Sequence, residues 1–207
     1  MLVRVTHWIT TLCFLLLLVS GGELVISHPR FYWGEDGNVM TTALFQIPIP
    51  ASRGYVKTGY PYVLPDQNGW SRSLHFQTAW IVVITGLLYV ASSLRSGHLR
   101  KHLLPGSRSG PDDARSYNVL QRLVYLSVIY GLFPLMIWTG LAMSPTITAA
   151  YPFLVEFAGG QQSARTIHFF ASIALVLFVA GHLLMVTLAG FRSRVGAMIT
   201  GRTEDLS

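Results

Sequence analysis

Four long apolar runs, separated by polar segments, set the pattern of this sequence. They cover roughly residues 5–26, 73–94, 123–143 and 166–191, and among Asp, Glu, Lys and Arg only Glu23 occurs within them. A hydrocarbon core of about 30 Å is crossed by about 20 helical residues, and lipid cannot hydrogen-bond an exposed backbone. The pattern therefore predicts an all-α membrane protein with a bundle of four membrane-spanning helices.

Composition and charge agree with lipid as the surrounding solvent. Of the 207 residues, 51% are hydrophobic and 12% are charged, whereas soluble domains carry about 25% charged residues. The net charge of +6 does not indicate nucleic acid, because the basic residues flank the apolar runs instead of forming one patch with aromatic partners. The length fits a single helical bundle, so one domain over residues 1–207 is predicted.

The distribution of basic residues predicts the orientation of the bundle. Ten of the 15 Lys and Arg residues lie before the first run, between the second and third runs, or after the fourth. The positive-inside rule then places both termini in the cytoplasm. Segment 27–72, between helices one and two, is predicted to be external. Its prolines, glycines and aromatic residues indicate a docking surface, and a flexible external loop is the alternative.

Four histidines lie inside the apolar runs or at their rims, where ionisable residues are costly and indicate function. His168 and His182 are fourteen residues apart, so they share a helix face and are separated by about 21 Å along the axis. His7 begins helix one on the cytoplasmic side, and His75 begins helix two on the external side. Two cross-helix pairs are predicted: an inner pair of His7 and His182, and an outer pair of His75 and His168.

Two such pairs at two levels match the needs of two haems, each ligated by imidazoles on both faces. The haems are predicted to be b-type, because the single cysteine, Cys13, lies in an apolar run and no C-x-x-C-H attachment site occurs. Zinc fits less well, since it prefers four tetrahedral ligands. The alternative is that the histidines only bond neighbouring helices, at about 1 kcal/mol each.

Arginines recur at a fixed distance from three of these histidines. Arg4, Arg72 and Arg165 each precede a histidine by three residues, which places them one turn nearer to water on the same helix face. A guanidinium pairs well with carboxylates, so these arginines are predicted to bind haem propionates. Interfacial arginines that only extend their side chains to water are the alternative. Arg95 and His98 show the same spacing outside the apolar runs, so the spacing supports this role without being diagnostic.

With these residues, the chain resembles the bacterial di-haem cytochrome b family. Members of this family anchor hydrogenases, formate dehydrogenases, thiosulfate reductases and molybdopterin oxidoreductases to the inner membrane. The resemblance covers nearly the whole chain, and its motifs are R-V-T-H-W at residues 4–8, S-L-H-F at residues 73–76, and the fourteen-residue step from His168 to His182. It implies a multi-pass protein of the bacterial inner membrane with the same inner and outer haem ligands.

The start of helix three resembles a quinone-binding motif, N-x-G-Q-K, of formate dehydrogenase membrane subunits. Asn118, Gln121 and Arg122 match this motif, whereas Leu120 stands in place of the glycine. Asn and Gln three residues apart share a helix face and can bond quinone carbonyls. The resemblance therefore implies a quinone pocket near the inner haem, and an ordinary polar helix start is the alternative.

The combined pattern predicts an electron-transfer subunit of an oxidoreductase complex, and no catalytic residue is predicted within this chain. Electrons would pass between a periplasmic partner, the outer haem, the inner haem and membrane quinone. The resemblance favours a molybdopterin oxidoreductase as the partner, with a hydrogenase as the alternative. Two other classes stay open: a stand-alone cytochrome b that oxidises superoxide and reduces quinone, and a haem-free anchor or transporter.

Overall fold

The computed structural model describes residues 2–38, 40–48, 68–96 and 119–201, and these residues are mostly helical. Four of the helical segments are long and apolar enough to cross a membrane, which confirms the predicted fold class. In chain order the elements are α1 (Leu2–Ser27), β1 (Arg30–Phe31), β2 (Phe45–Gln46), α2 (Asn68–Arg95), α3 (Val119–Ser127), a π-helical turn (Val128–Leu132), α4 (Phe133–Ala142), α5 (Pro145–Ala150), α6 (Phe153–Phe157), α7 (Gln161–Leu188) and α8 (Phe191–Thr200).

Contacts along the chain group it into two compact units. Unit 1 comprises Met1–Trp8, Gly86–Met136 and Phe170–Ser207, and unit 2 comprises Ile9–Thr85 and Ile137–Phe169. The inner histidine pair belongs to unit 1, and the outer pair belongs to unit 2. The single domain over residues 1–207 stays a prediction.

The third spanning segment is an α-helix interrupted by a π-helical turn at Val128–Leu132. Proline lacks an amide proton, and its ring clashes with the carbonyl four residues earlier. Pro134 therefore conflicts with a regular helix at Tyr130, which lies inside the π-helical turn. We attribute the turn to this conflict, because wider turns of this kind relieve strain within helices.

The described part of segment 27–72, which is predicted to be external, folds onto the start of α7. Its strands β1 and β2 pair antiparallel, with Arg30 opposite Gln46 and Phe31 opposite Phe45. The carbonyl oxygen of Gly34 accepts bonds from the amides of Gln162 (3.0 Å) and Ser163 (3.2 Å).

A carboxylate adds to this cap of α7. Glu35 Oε2 accepts a bond from the Gln161 amide at 2.9 Å. These acceptors satisfy amides that a helix start otherwise leaves open, and the carboxylate matches the positive end of the helix dipole. Segment 27–72 thereby fixes the first turns of the helix that carries His168.

The segment between α4 and α7 contains two short helices. Pro145 begins α5 directly after the extended Ser144, a position where the missing amide proton costs nothing. The indole Nε1 of Trp138 donates to the Leu154 carbonyl at 3.1 Å and so joins α6 to α4.

The helix formed by the fourth apolar run ends earlier than predicted, and a separate helix follows it. Helix α7 ends at Leu188, and Gly190 adopts a left-handed conformation with φ of 96° before α8 begins. In unit 1 the last turn of α8 accepts hydrogen bonds from two side chains at the start of α1. Arg4 Nη1 donates to the Ile199 carbonyl, and Trp8 Nε1 donates to the Met198 carbonyl, each at 3.2 Å.

Candidate functional site

The outer histidine pair joins α2 to α7 within unit 2. The ring centroids of His75 and His168 are 6.3 Å apart, and the ring planes are inclined at 62°. Both side chains are half-buried.

Each outer histidine lies within hydrogen-bond distance of a hydroxyl group on another spanning segment. Ser20 Oγ on α1 lies 3.0 Å from His75 Nδ1, and Thr139 Oγ1 on α4 lies 2.9 Å from His168 Nδ1. Both hydroxyl residues are fully buried, with 0% exposure. All the spanning segments therefore contribute to the outer pair.

A glycine follows each of these hydroxyl residues and faces the same imidazole. A Cβ added at Gly21 would lie 3.5 Å from His75 Cε1, and one at Gly140 would lie 3.6 Å from His168 Cε1. These are ordinary van der Waals distances, so the space beside each imidazole at these glycines would admit a methyl group in contact with the ring. The dipeptides Ser20-Gly21 and Thr139-Gly140 thus support the outer pair in the same way from two segments.

The inner histidine pair joins α1 to α7 within unit 1. The ring centroids of His7 and His182 are also 6.3 Å apart, with an interplanar angle of 56°. Phe178 stacks on His182 at 6.0 Å and 20°, and Trp8 meets His7 edge-on at 5.3 Å. Tyr125 Oη on α3 lies 3.5 Å from His182 Nδ1, which is long for a hydrogen bond.

The residues present fit haem at both pairs. Metal–imidazole bonds are about 2.0–2.1 Å long, so two imidazoles that face each other across one metal ion have ring centroids about 6 Å apart. Both pairs have this spacing. Among the residues that the structure describes, no three His, Cys, Asp or Glu side chains are placed to hold a bare metal ion. Two protein ligands per site suit a metal whose other ligands come from a porphyrin.

The three predicted propionate arginines lie in different surroundings. Arg165 donates to the His28 carbonyl and lies with its guanidinium 4.8 Å from the Phe31 ring centroid. Arg4 bonds the end of α8, and Arg72 is exposed. Their role toward propionates stays a prediction.

An aromatic cluster joins strands β1 and β2 to α7 in unit 2. Phe31 stacks on Phe45 at 4.6 Å and contacts Phe169, the residue after His168, at 4.4 Å. Phe31 is almost fully buried. The cluster therefore packs strands β1 and β2 against α7, one residue after His168.

The predicted quinone residues are only partly described. Asn118 lies outside the described residues, and Gln121 and Arg122 are described only as backbone of the first turns of α3. The quinone site stays a prediction.

Sequence reasoning missed Ser20, Thr139 and Tyr125 as neighbours of the histidines. A hydroxyl residue followed by glycine inside an apolar run was the available signal, because both Ser20-Gly21 and Thr139-Gly140 have this form. The signal is weak on its own, since small residues are common in spanning helices.

Comparison with known proteins identifies relatives over most of the chain. Residues 1–201 match the family model described as prokaryotic cytochrome b561. The chain is 26% identical over 205 residues to YedZ1 of Azospira oryzae, which is named as a candidate protein-methionine-sulfoxide reductase subunit. This alignment covers 89% of this chain and 87% of that protein. The chain is also 26% identical over 197 residues to YdhU of Escherichia coli, which is named as a candidate cytochrome. This second alignment covers 89% of this chain and 65% of that protein. No solved structure matches the chain significantly.

Proposed function

Because the chain belongs to the prokaryotic cytochrome b561 family, we propose that it carries electrons across the membrane through two b-type haems, between a periplasmic oxidoreductase and the quinone pool. Family membership and the four spans make it a multi-pass cytochrome of the bacterial inner membrane that binds haem b and serves electron transport. Two haems, the periplasmic partner and quinone are proposed beyond that membership.

The observation that carries this function is the repeated histidine pair. Each unit holds one pair, and both pairs have ring centroids 6.3 Å apart. The chain therefore offers two ligand sets, each composed of imidazoles from two spanning helices. Haem b supplies a one-electron couple between ferric and ferrous iron.

Two observations support a periplasmic partner. The relative YedZ1 is named as a candidate subunit of a reductase, and the described part of the external segment exposes large apolar side chains. Trp33 is 61% exposed and Leu44 is 58% exposed. Aromatic residues are enriched at protein interfaces. The resemblance to cytochromes of molybdopterin oxidoreductases makes that enzyme class the favoured partner over a hydrogenase.

A quinone site beside the inner pair is supported by the placement of α3. Tyr125 lies one turn after Gln121 on α3, and its hydroxyl is 3.5 Å from His182 Nδ1. The segment that carries the quinone motif thus meets the inner pair through a residue that follows it. At the cytoplasmic rim a quinone can exchange protons with water, and Asn118 and Gln121 supply hydrogen-bonding groups for its carbonyls.

Two non-covalent haems b per chain are expected in the purified protein. Pyridine haemochrome analysis, together with protein quantification, measures this ratio. Acid–acetone extraction should release all of the haem, because the sequence has no covalent attachment site. One haem per chain, no haem, or haem that stays on the protein after extraction would each contradict the proposal.

Replacing both Asn118 and Gln121 by Leu should slow electron transfer to a quinone about thirtyfold while both haems remain bound. Two lost hydrogen bonds of about 1 kcal/mol each correspond to this factor. Stopped-flow oxidation of the dithionite-reduced cytochrome by a quinone analogue measures the rate. Tyr130→Phe, a hydroxyl removed farther along the same spanning segment, is the control and should keep the wild-type rate. An unchanged rate in the double variant would place the quinone elsewhere.

A further inference from the structure

Both outer histidines are bonded at the same ring nitrogen by a buried hydroxyl. Ser20 Oγ lies 3.0 Å from Nδ1 of His75, and Thr139 Oγ1 lies 2.9 Å from Nδ1 of His168. The hydroxyls come from two different segments, α1 and α4. Hydrogen-bond partners of the non-coordinating nitrogen orient metal-binding histidines and adjust their basicity. The arrangement therefore bears directly on how the outer pair would hold haem.

The direction of the bond at Ser20 follows from counting protons. Ser20 Oγ also lies 2.7 Å from the Leu16 carbonyl oxygen, one helical turn earlier. A carbonyl can only accept, and a hydroxyl has a single proton to donate. The shorter contact indicates that the proton goes to Leu16, as serine side chains within helices commonly bond. The hydroxyl then accepts at its other side, so His75 Nδ1 carries a proton and donates it.

This direction fixes the tautomer of the imidazole. A neutral histidine with its proton on Nδ1 has its lone pair on Nε2, and that lone pair is what a metal binds. Thr139 occupies Nδ1 of His168 at nearly the same distance. In this arrangement Nε2 is the nitrogen through which each outer histidine would bind a metal.

We propose that Ser20 and Thr139 are positioning residues of the outer haem, which hold both imidazoles with Nε2 toward the iron and lower its midpoint potential. An acceptor at Nδ1–H makes the imidazole more electron-donating, and a more donating ligand favours ferric over ferrous iron. The inference rests on the proposed two-haem function, and it adds two residues that touch the ligands instead of the haem.

Removing the Thr139 hydroxyl should raise the midpoint potential of one haem only. Thr139→Val keeps the shape of the side chain and removes the hydroxyl, whereas Thr139→Ser keeps the hydroxyl and removes a methyl group. Loss of both hydroxyls, in Ser20→Ala with Thr139→Val, should reduce the preference for ferric iron about tenfold, which corresponds to about 59 mV for a one-electron couple. Thr139→Ser should stay at the wild-type potential.

Spectroelectrochemical titration of the detergent-purified holoprotein measures both potentials, and low-temperature EPR reports the geometry of the ferric ligands. The other haem in the same sample is an internal control. Thr85→Val, which removes another of the buried hydroxyls of unit 2, is a matched control and should shift neither potential.

The outcomes separate this inference from the proposed function. A wild-type protein with fewer than two haems contradicts the proposed function before any variant is measured. Two haems whose potentials do not change in the double variant overturn only the inference, as does an equal shift of both potentials. If Thr139→Val loses a haem, a Thr139→Ser variant that keeps both haems supports the role of the hydroxyl. A Thr139→Ser variant that also loses a haem contradicts that role.

Discussion

Alanine at His75 or at His168 is expected to remove one low-spin haem signal and leave the other intact. A six-coordinate haem needs an imidazole on each face, and these two rings lie 6.3 Å apart in unit 2. Loss of either ring leaves the iron with one protein ligand, so the two single variants should lose the same signal. Redox titration of the α-band should change from two components to one in both variants.

Alanine at His7 or at His182 should remove the other signal, because these rings form the second pair in unit 1. The combination of His75→Ala with His182→Ala should remove both signals, whereas His75→Ala with His168→Ala should remove only one. His28→Ala is a matched control that should keep both haems, since the bond from Arg165 is made to the backbone carbonyl of His28. If His75→Ala and His182→Ala abolished the same signal, the pairing would be wrong.

Much of the fold could be predicted because membrane-spanning helices are recognised from the hydropathy of the sequence alone. How the helices pack against one another does not have to be known. An apolar run of about 20 residues has few stable structures in lipid other than a helix, and the structure confirms four such helices. The histidine pairs followed from helical arithmetic and from the alternating direction of successive spans. The structure brings the same four histidines together in the same pairs.

The contacts around the histidines could not be predicted in the same way. Whether Ser20 faces His75 depends on the rotation of α1 about its axis, and a run that is apolar on all sides does not specify that rotation. The cap of α7 by Gly34 and Glu35 joins positions about 130 residues apart, for which neither periodicity nor spacing gives a signal. Helix α8 was missed because all of it except Phe191 follows the fourth apolar run, and the helices were predicted from apolar runs alone.

Leucine at Gly21 is expected to expel one haem, whereas leucine at the neighbouring Gly22 should leave both bound. A Cβ at Gly21 would already lie 3.5 Å from Cε1 and 3.8 Å from Nδ1 of His75. The three further carbon atoms of leucine lie beyond that Cβ, next to the ring and its bond to Ser20. A Cβ at Gly22 meets nothing within 4 Å, and the residue is exposed.

The two substitutions form a matched pair because they add the same side chain at adjacent positions of one helix. Leucine is favoured over glycine within helices by about 1 kcal/mol, so any general effect on α1 is shared. The difference between the variants therefore reports the contact with His75. Haem content and α-band spectra of the two purified variants measure it, and Gly21→Ala, whose single methyl group fits at van der Waals distance, should keep both haems. Equal haem content in Gly21→Leu and Gly22→Leu would contradict the assignment of His75 as a ligand packed against Gly21.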